Sequence, residues 1–291
     1  LDAVNGDDST GDGTLSLPWK TIQHAYDWIV DNIDMDGWSI FIYLLDGTYD
    51  RALFNRAVTN TNISNYYSYV QFEGYNADAS TVIVGEVVIG GYTPTAFEIY
   101  IKSNNTNWNA FAFLYMTVIG GNCFDAGGKD FELQLTSCTL KGLSTAVYIW
   151  GERQSLSVYG CYFLEVRNLA DIEGKTDAYF NNSSVDGSIS ILGDTLFYLS
   201  TEAKATVYNS ITGTYNGDIL LADTGSSFNY YDSVTWPTGN TGVFTTDETC
   251  FINGILQKKF STLIDVSLTN PVDGEMLQYS SGKWINVTAP T

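Results

Sequence analysis

The sequence predicts an all-β fold, a right-handed parallel β-helix in which short strands stack along one axis. Three observations predict it: a motif that recurs between Phe113 and Trp236, apolar residues two apart within each copy, and a bend signal after each copy. A period of about 22 residues built from short strands is typical of a solenoid, whereas a propeller has a period of about 40. One small residue marks each copy, and these markers are Cys138, Cys161, Ser183, Ser210 and Ser233.

Each copy of the motif begins with a strand and continues into a bend. Apolar residues two positions apart, such as Leu133 and Leu135, place one face of the strand in the core. The residue before the marker is Ser, Gly, Asn or Asp, and most of these types tolerate left-handed backbone. A second strand follows the bend, and third strands are predicted at 146–150 and 188–192. We therefore expect three strands and three bends in each circuit of the chain, which we call a rung.

The first 39 residues differ from the repeat. A loop rich in Gly and Asp over residues 5–14 precedes a helix that Pro18 opens, with Ile22 and Ile29 on its apolar face. A solenoid needs a cap because its end exposes core and unpaired strand edges. The expected organisation is a loop and capping helix at 1–39, the parallel β-helix at 40–240, a C-terminal cap or linker at 241–260 and a small strand-turn module at 261–291.

Two segments resemble known families. Residues 5–14 (Asn-Gly-Asp-Asp-Ser-Thr-Gly-Asp-Gly-Thr), residues 18–25 (Pro-Trp-Lys-Thr-Ile-Gln-His-Ala) and the Gly-Thr-Tyr that ends 40–49 are similar to the opening of the pectin-lyase-like β-helix superfamily. Many bacterial surface proteins and phage tailspikes open in this way. Residues 263–286 resemble a short module of phage tail and fibre proteins, with Leu-x-Asp-Val, a Pro-x-Asp-Gly turn, Leu-x-Tyr and Lys-Trp in order. The first resemblance implies the fold, and the second implies a fibre.

Together the resemblances imply a virion structural protein: a fibre, spike or appendage subunit of a phage-like virus, assembled in the host cytoplasm and displayed on the particle for host attachment. They also imply a homotrimer that contacts other virion proteins. The expected oligomerisation residues are Leu268, Leu277 and Trp284, because a module of about thirty residues cannot bury them alone. A secreted bacterial surface adhesin is a third alternative, disfavoured by the phage-type module.

Composition excludes several other classes of function. The net charge of −20, with only 13 Lys and Arg, argues against nucleic acid and anionic membranes as partners. The longest apolar run, residues 40–45, is too short to insert across a bilayer. His24 is the only histidine, which excludes a Ser-His-Asp triad, and no Cys/His cluster has metal-ligand spacing. We expect no metal and no cofactor, and Cys138 and Cys161 as stacked buried thiols.

Carboxylates remain as candidate catalytic groups. Stacking the rungs places Glu132, Ser155, Asp177 and Lys204 in one outward column, with the two acids about 10 Å apart. Inverting glycosidases separate their acids by about 6.5–9.5 Å. The alternative function is therefore a polysaccharide depolymerase, a hydrolase or lyase, with Glu132 and Asp177 as its acid pair. We expect instead a solvated ladder of charges without activity, facing no groove, with Glu132 exposed and of ordinary pKa and Asp177 ionised beside Lys204.

Aromatic residues near these positions are candidates for binding a host-surface polysaccharide. Tyr148 and Tyr179 are the tyrosines expected beside the two acids. Trp108 lies in an Asn-rich excursion at 102–109, and loops on a rigid scaffold commonly carry binding residues.

Overall fold

The structure of the chain is a computed structural model. It describes residues 1–35, 38–50, 52–54, 56, 62–63, 66–67, 69–80, 82–84, 97–103, 109–120, 122–142, 144–187, 194–231, 234–240, 244–246, 250–253, 255–256, 266–267, 275–280 and 283–288.

The described strands form a parallel β-solenoid with three faces, which confirms the predicted all-β parallel solenoid. The chain runs through one strand of the first face, one of the second and one of the third before it begins the next rung. Three long strands pass through a bend and contribute their first half to the third face and their second half to the first face. They are Asn122–Thr136, Thr145–Tyr159 and Asn168–Asn181.

Each face stacks its strands in parallel register. Besides the long strands, the first face contains Ile40–Leu44, Val70–Gly74, Asn109–Leu114, Lys204–Val207, Ser227–Tyr230 and Phe251–Ile252. The second face contains Gly47–Tyr49, Val82–Val84, Thr117–Gly120, Thr139–Gly142, Tyr162–Leu164, Ser183–Asp186 and Ile211–Thr214. The third face contains Ala52–Phe54, Phe97–Ser103, Thr195–Ser200, Asp218–Ala222 and Phe244–Thr246. The strand predicted at 146–150 lies within Thr145–Tyr159, whereas 188–192 lies outside the described residues.

Left-handed residues form the bend between the first and second faces, as the motif predicts. The φ angles of Ser137, Gly160 and Asn182 are 52°, 59° and 49°, and these residues occupy equivalent positions in three rungs. Only a few residue types adopt this conformation at low cost, which explains the short polar residues and Gly in the repeat.

The predicted column of small residues holds over three rungs and then changes. Thr139 pairs with Tyr162 and Tyr162 with Ser184, so Cys138, Cys161 and Ser183 are stacked. In the next rung Ser183 pairs with Ile211, and therefore Ser210 does not join the column. The first face advances by 27 residues at this step and the second by 28, so the bend contains one additional residue. Ser233 lies outside the described residues.

The core is a continuous file of apolar side chains enclosed by the three faces. Phe54, Phe72 and Phe113 stack with ring centroids 5.3–6.0 Å apart. Offset aromatic pairs stabilise a core beyond their buried area. Cys138 and Cys161 are buried and free, as predicted.

The helix Ile22–Asn32 precedes the first strand, in the place predicted for a cap. The Thr21 hydroxyl accepts a hydrogen bond from the His24 backbone N–H and so caps its N-terminus. Tyr26 packs against Phe54, with ring centroids 4.5 Å apart, and joins the core. This placement fits the predicted capping role.

Parallel pairing continues past residue 240, the predicted end of the solenoid. Phe244–Thr246 pairs with the third face and Phe251–Ile252 with the first. Ile255–Leu256 then pairs with Phe251–Ile252 in antiparallel orientation, ending that face. Away from the solenoid sheets, Asn62–Ile63 and Tyr66–Tyr67 form a small hairpin.

The tail forms a small separate sheet. Lys283–Thr288 pairs antiparallel with Glu275–Ser280 and parallel with Val266–Ser267. Leu277 and Trp284 lie in these strands, and Leu268 lies outside the described residues.

Candidate carbohydrate-binding surface

The first face carries the charged column that the repeat predicts. Strand pairing aligns Glu132 with Ser155, Ser155 with Asp177, and Asp177 with Lys204. Lys204 Nζ lies 3.7 Å from Asp177 Oδ1, so the cation faces the carboxylate one rung away, as expected. Both side chains are substantially exposed, and such a pair stabilises the fold only slightly.

Glu132 differs from the expectation of an exposed acid with ordinary pKa. Burial raises the pKa of Glu132, and a hydrogen bond from the Tyr69 hydroxyl, 3.2 Å from Oε1, partly offsets this effect. Tyr69 is the aromatic residue that contacts this acid, rather than Tyr148 or Tyr179. Tyr69 reaches Glu132 through the stacking of the rungs. It directly precedes the strand Val70–Gly74, which pairs with Asn109–Leu114, and that strand in turn pairs with the segment that contains Glu132. Tyr69 therefore lies two rungs before Glu132.

Asp177 lies in a cleft that does not include Glu132. The cleft, about 740 Å³, follows the bend between the third and first faces, so the expectation that Asp177 faces no groove is wrong. Ser155 separates the two acids on the face, and Glu132 is not among the residues that line this cleft. The residues that line the cleft are Arg153, Gln154, Ser155, Lys175, Asp177, Glu202, Lys204 and Gly225.

Next to this cleft, tyrosine side chains form a row along the first face. The rings of Tyr179 and Tyr208 are 6.0 Å apart between centroids, and those of Tyr208 and Tyr231 are 5.5 Å apart. Val207 pairs with Tyr230 on the next rung. Tyr208 and Tyr231 directly follow these two residues, so the row advances by one rung from Tyr208 to Tyr231. We call Tyr179, Tyr208 and Tyr231 the tyrosine ladder.

The ladder is accessible to a ligand. Tyr208 is 39% exposed and Tyr231 is 55% exposed. Tyr159, 41% exposed, extends the aromatic surface one rung before Tyr179. The pKa of Tyr179 is raised by partial burial and by the charge of Asp177, so its hydroxyl remains a neutral hydrogen-bond donor over a wide pH range. Tyr179 is the one predicted binding residue that belongs to this row.

Tyr148 lies on the third face, where it begins a second group of outward side chains. Strand pairing places Tyr148, Asp171 and Tyr198 in one column over three rungs. The neighbouring column contains Trp150 and Glu173. A Cβ added at Gly127 would lie 2.2 Å from Trp150 Cε2, so the indole lies across the preceding rung. We call Tyr148, Trp150, Asp171, Glu173 and Tyr198 the third-face cluster.

Asp171 is the most perturbed carboxyl group of this cluster. Burial, with a smaller contribution from the charge of Glu173, raises the pKa of Asp171 to about 7. Its Oδ1 atom is buried and has no hydrogen-bond partner among the described residues. Sequence reasoning missed Asp171, although a signal existed: Tyr148, Asp171 and Tyr198 are separated by 23 and 27 residues, close to the 22 and 27 residues that separate the markers Cys161, Ser183 and Ser210.

Trp108 lies outside the described residues. Among the residues that the structure describes, no group of three His, Cys, Asp or Glu side chains could hold a metal ion. No helix in the described part of the chain has the length and apolarity needed to cross a membrane. Comparison of the sequence with protein-family models and with curated proteins finds no match.

Proposed function

We propose that the chain is a fibre or spike subunit of a phage-like virus particle, and that it binds a cell-surface polysaccharide during host attachment. The observation that carries the proposal is the tyrosine ladder, an exposed row of rings spaced by the rungs of a rigid scaffold. The C–H groups on one side of a pyranose ring pack well on an aromatic ring, and a phenol hydroxyl bonds to sugar hydroxyls. A linear glycan along the solenoid axis would contact successive tyrosines.

The surroundings of the ladder support a sugar ligand over a nucleic acid. The cleft beside it contains carboxylates and cations together, and the whole chain has a net charge of −20. A strongly acidic chain repels the closely spaced phosphates of a nucleic acid, whereas mixed charged groups and hydroxyls can bond to a polyhydroxylated ligand.

We propose a homotrimer as the assembled form. Near its N-terminus the structure exposes large apolar side chains, including Trp38 at 78%, Phe41 and Tyr43. A groove of about 320 Å³ adjoins them, lined mainly by apolar residues. Exposed apolar surface of this kind typically marks an interaction site, and the neighbouring subunits that the tail brings together would cover it.

The binding proposal is tested with immobilised polysaccharides. Wild type, Tyr208→Ala and Tyr231→Ala are passed over dextran, alginate, polygalacturonate and smooth lipopolysaccharide, and retention is measured. Tyr162→Ala is the matched control, because Tyr162 is 39% exposed, as Tyr208 is, and lies on the second face outside the ladder. We expect retention of wild type and control on at least one polysaccharide and weakened retention of both ladder variants. Equal retention of all four proteins, or none on any polysaccharide, would refute the binding proposal.

The location of the protein is tested separately. An antibody raised against the chain should label the surface of virus particles and block their adsorption to cells. Labelling of uninfected bacterial cells alone would favour the adhesin alternative.

A further inference from the structure

We propose that the cleft at the bend between the third and first faces binds an acidic sugar residue of the polysaccharide, whose anionic group bonds to the cations Arg153, Lys175 and Lys204. This inference names the class of polysaccharide, and it rests on the proposed function for the sugar chain itself. The anionic group is a carboxylate or a phosphate, because both bond to the same cationic side chains.

The cleft concentrates cationic side chains in a chain that has few of them. Its lining includes Arg153, Lys175 and Lys204, which are three of the 13 Lys and Arg residues, and two acids, Asp177 and Glu202. Three cations and two acids give the lining one net positive charge, whereas the whole chain has a net charge of −20. A cleft of one sign raises the local concentration of ligands of the opposite sign, so this cleft attracts an anionic group.

The three cations come from three successive rungs. Arg153 directly follows Glu152, which pairs with Lys175, and Lys204 lies in the strand that stacks on the next rung. Neighbouring rungs are about 4.8 Å apart, so the cations extend over about 10 Å along the solenoid axis. A row of this length matches a chain of sugars better than a single small ion.

An irregularity in the stacked strands positions Arg153. The register of the paired strands shifts between Glu152 and Gln154, which leaves Arg153 as an additional residue with a φ angle of 56°. Bulges of this kind commonly change the direction of a side chain next to a binding site.

A fixed polar side chain lines the cleft next to Arg153. Gln154 is only 3% exposed. Its amide nitrogen donates to the Trp150 carbonyl oxygen at 2.7 Å, and its amide oxygen accepts from the Thr176 hydroxyl at 3.3 Å. These bonds hold the wall of the cleft in one conformation, which lowers the entropy that a ligand must overcome on binding.

The lysines of the cleft keep hydrogen-bonding capacity for a ligand. Lys175 Nζ lies 3.7 Å from Glu202 Oε2, and Lys204 Nζ lies 3.7 Å from Asp177 Oδ1. Both distances exceed the length of a hydrogen bond, about 2.7–3.2 Å, so these are contacts between charges without a direct hydrogen bond. All four side chains are at least half exposed, and water screens such pairs. An incoming anion therefore replaces water rather than strong internal bonds.

The two acids indicate that the anionic group belongs to a sugar. Asp177 and Glu202 only accept hydrogen bonds, and the hydroxyl groups of a pyranose donate them. A simple anion would use the cations and be repelled by the acids. A sugar residue with one anionic group and several hydroxyl groups uses both.

The cleft and the tyrosine ladder share one strand. Asp177 and Tyr179 are two residues apart in Asn168–Asn181, so their side chains project from the same face with Cα atoms about 6.6 Å apart. Besides burial, the charge of Asp177 raises the pKa of Tyr179, which shows that the two groups are within electrostatic reach. A polysaccharide along the ladder therefore brings the substituents of its sugars to the edge of the cleft.

The test is calorimetric titration of the full chain with polysaccharides that differ in charge. Alginate and polygalacturonate are the carboxylate probes, and teichoic acid is the phosphate probe. Dextran, and polygalacturonate whose carboxyl groups have been reduced to alcohols, are the neutral probes. The variants are Lys175→Gln, Lys204→Gln and the double variant. Lys141→Gln is the matched control, because Lys141 also contacts an acid, Glu165 at 3.1 Å, and lies on the second face outside the cleft.

We expect wild type to bind the carboxylate probes or the phosphate probe about tenfold or more tightly than the neutral probes, as several exposed charge contacts together provide. Each single variant should weaken this affinity about two- to fivefold, and the double variant should weaken it further. Binding of the neutral probes, and all binding by Lys141→Gln, should match wild type. High salt should reduce the difference between wild type and the double variant, because it screens exposed charges.

Equal affinity of wild type for charged and neutral probes would overturn the proposal, as would equal losses in Lys141→Gln and the cleft variants. Circular dichroism of each variant confirms that the β-solenoid is intact. Affinity lost in Tyr208→Ala but unchanged in the double lysine variant would leave the attachment function standing and refute the cleft. The reverse result would refute the ladder and support the cleft, and binding of no probe would refute both.

Discussion

The buried carboxyl group of Asp171 makes a quantitative prediction about stability and pH. Its pKa rises from 3.8 to about 7 on folding. Because the folded state then binds the proton more tightly than the unfolded state, this group stabilises the fold fully below about pH 4. The contribution is lost as pH rises from about 4 to 7. The complete shift corresponds to about 4 kcal/mol, and we expect about 2 kcal/mol because part of the carboxyl reaches solvent.

The substitution Asp171→Asn removes this titration. Relative to wild type, the variant should gain about 2 kcal/mol more in free energy of unfolding at pH 8 than at pH 4. The titratable groups that face Asp171 are Glu173 on its own strand and Tyr148 and Tyr198 on the adjacent rungs, and tyrosines stay neutral in this range.

The assay is urea unfolding at both pH values, followed by circular dichroism. Asp177→Asn is the control, since it removes only an exposed pair with Lys204 and should cost less than about 1 kcal/mol at pH 8. An Asp171→Asn effect that is equal at pH 4 and pH 8 would show that the carboxyl is not perturbed, and would remove the basis of the argument.

Three further predictions concern the bends, the core and the tail. Gly174→Ala should lower the thermal unfolding temperature more than Gly160→Ala. A Cβ at position 174 would lie 1.9 Å from the Gly151 carbonyl oxygen, whereas at position 160 the nearest atom is 3.8 Å away. Equal losses of stability in the two variants would contradict this packing. Phe180→Ala should cost about 3–5 kcal/mol in the same measurement, since this ring is fully buried, and a loss below about 1 kcal/mol would contradict its place in the core. A chain that ends at residue 260 should sediment as a monomer and the full chain as a trimer, and identical mass would refute a tail-dependent trimer.

The repeating part of the fold was predictable because each rung needs the same residue types at the same positions. Alternating apolar residues and bend residues recur in the sequence, so Cys138, Cys161 and Ser183 could be placed in one column before any coordinates. The prediction failed at Ser210 because one residue was added within a bend. An insertion of that size hardly changes the pattern along the chain, but it changes which residue enters the core.

The candidate site was predicted less well because it depends on neighbours in other rungs. The column of Glu132 and Asp177 followed from the repeat, but the hydrogen bond that Glu132 accepts comes from Tyr69, which lies 63 residues earlier. Asp171 has the ordinary appearance of an outward polar residue in its own strand. Its surroundings depend on strand pairing, which places Tyr148 one rung before it and Tyr198 one rung after it.

The most direct test of the central claim is calorimetric titration of the tyrosine ladder with a polysaccharide that the wild-type chain retains. Each ring removed should cost about 0.5–1.5 kcal/mol of binding free energy, which raises Kd by roughly two- to tenfold. We predict that Tyr208→Ala and Tyr231→Ala each weaken binding to this extent, that the double variant weakens it further, and that Tyr162→Ala leaves Kd unchanged. Identical Kd values for wild type and the double variant would contradict the claim that the ladder is the polysaccharide-binding surface.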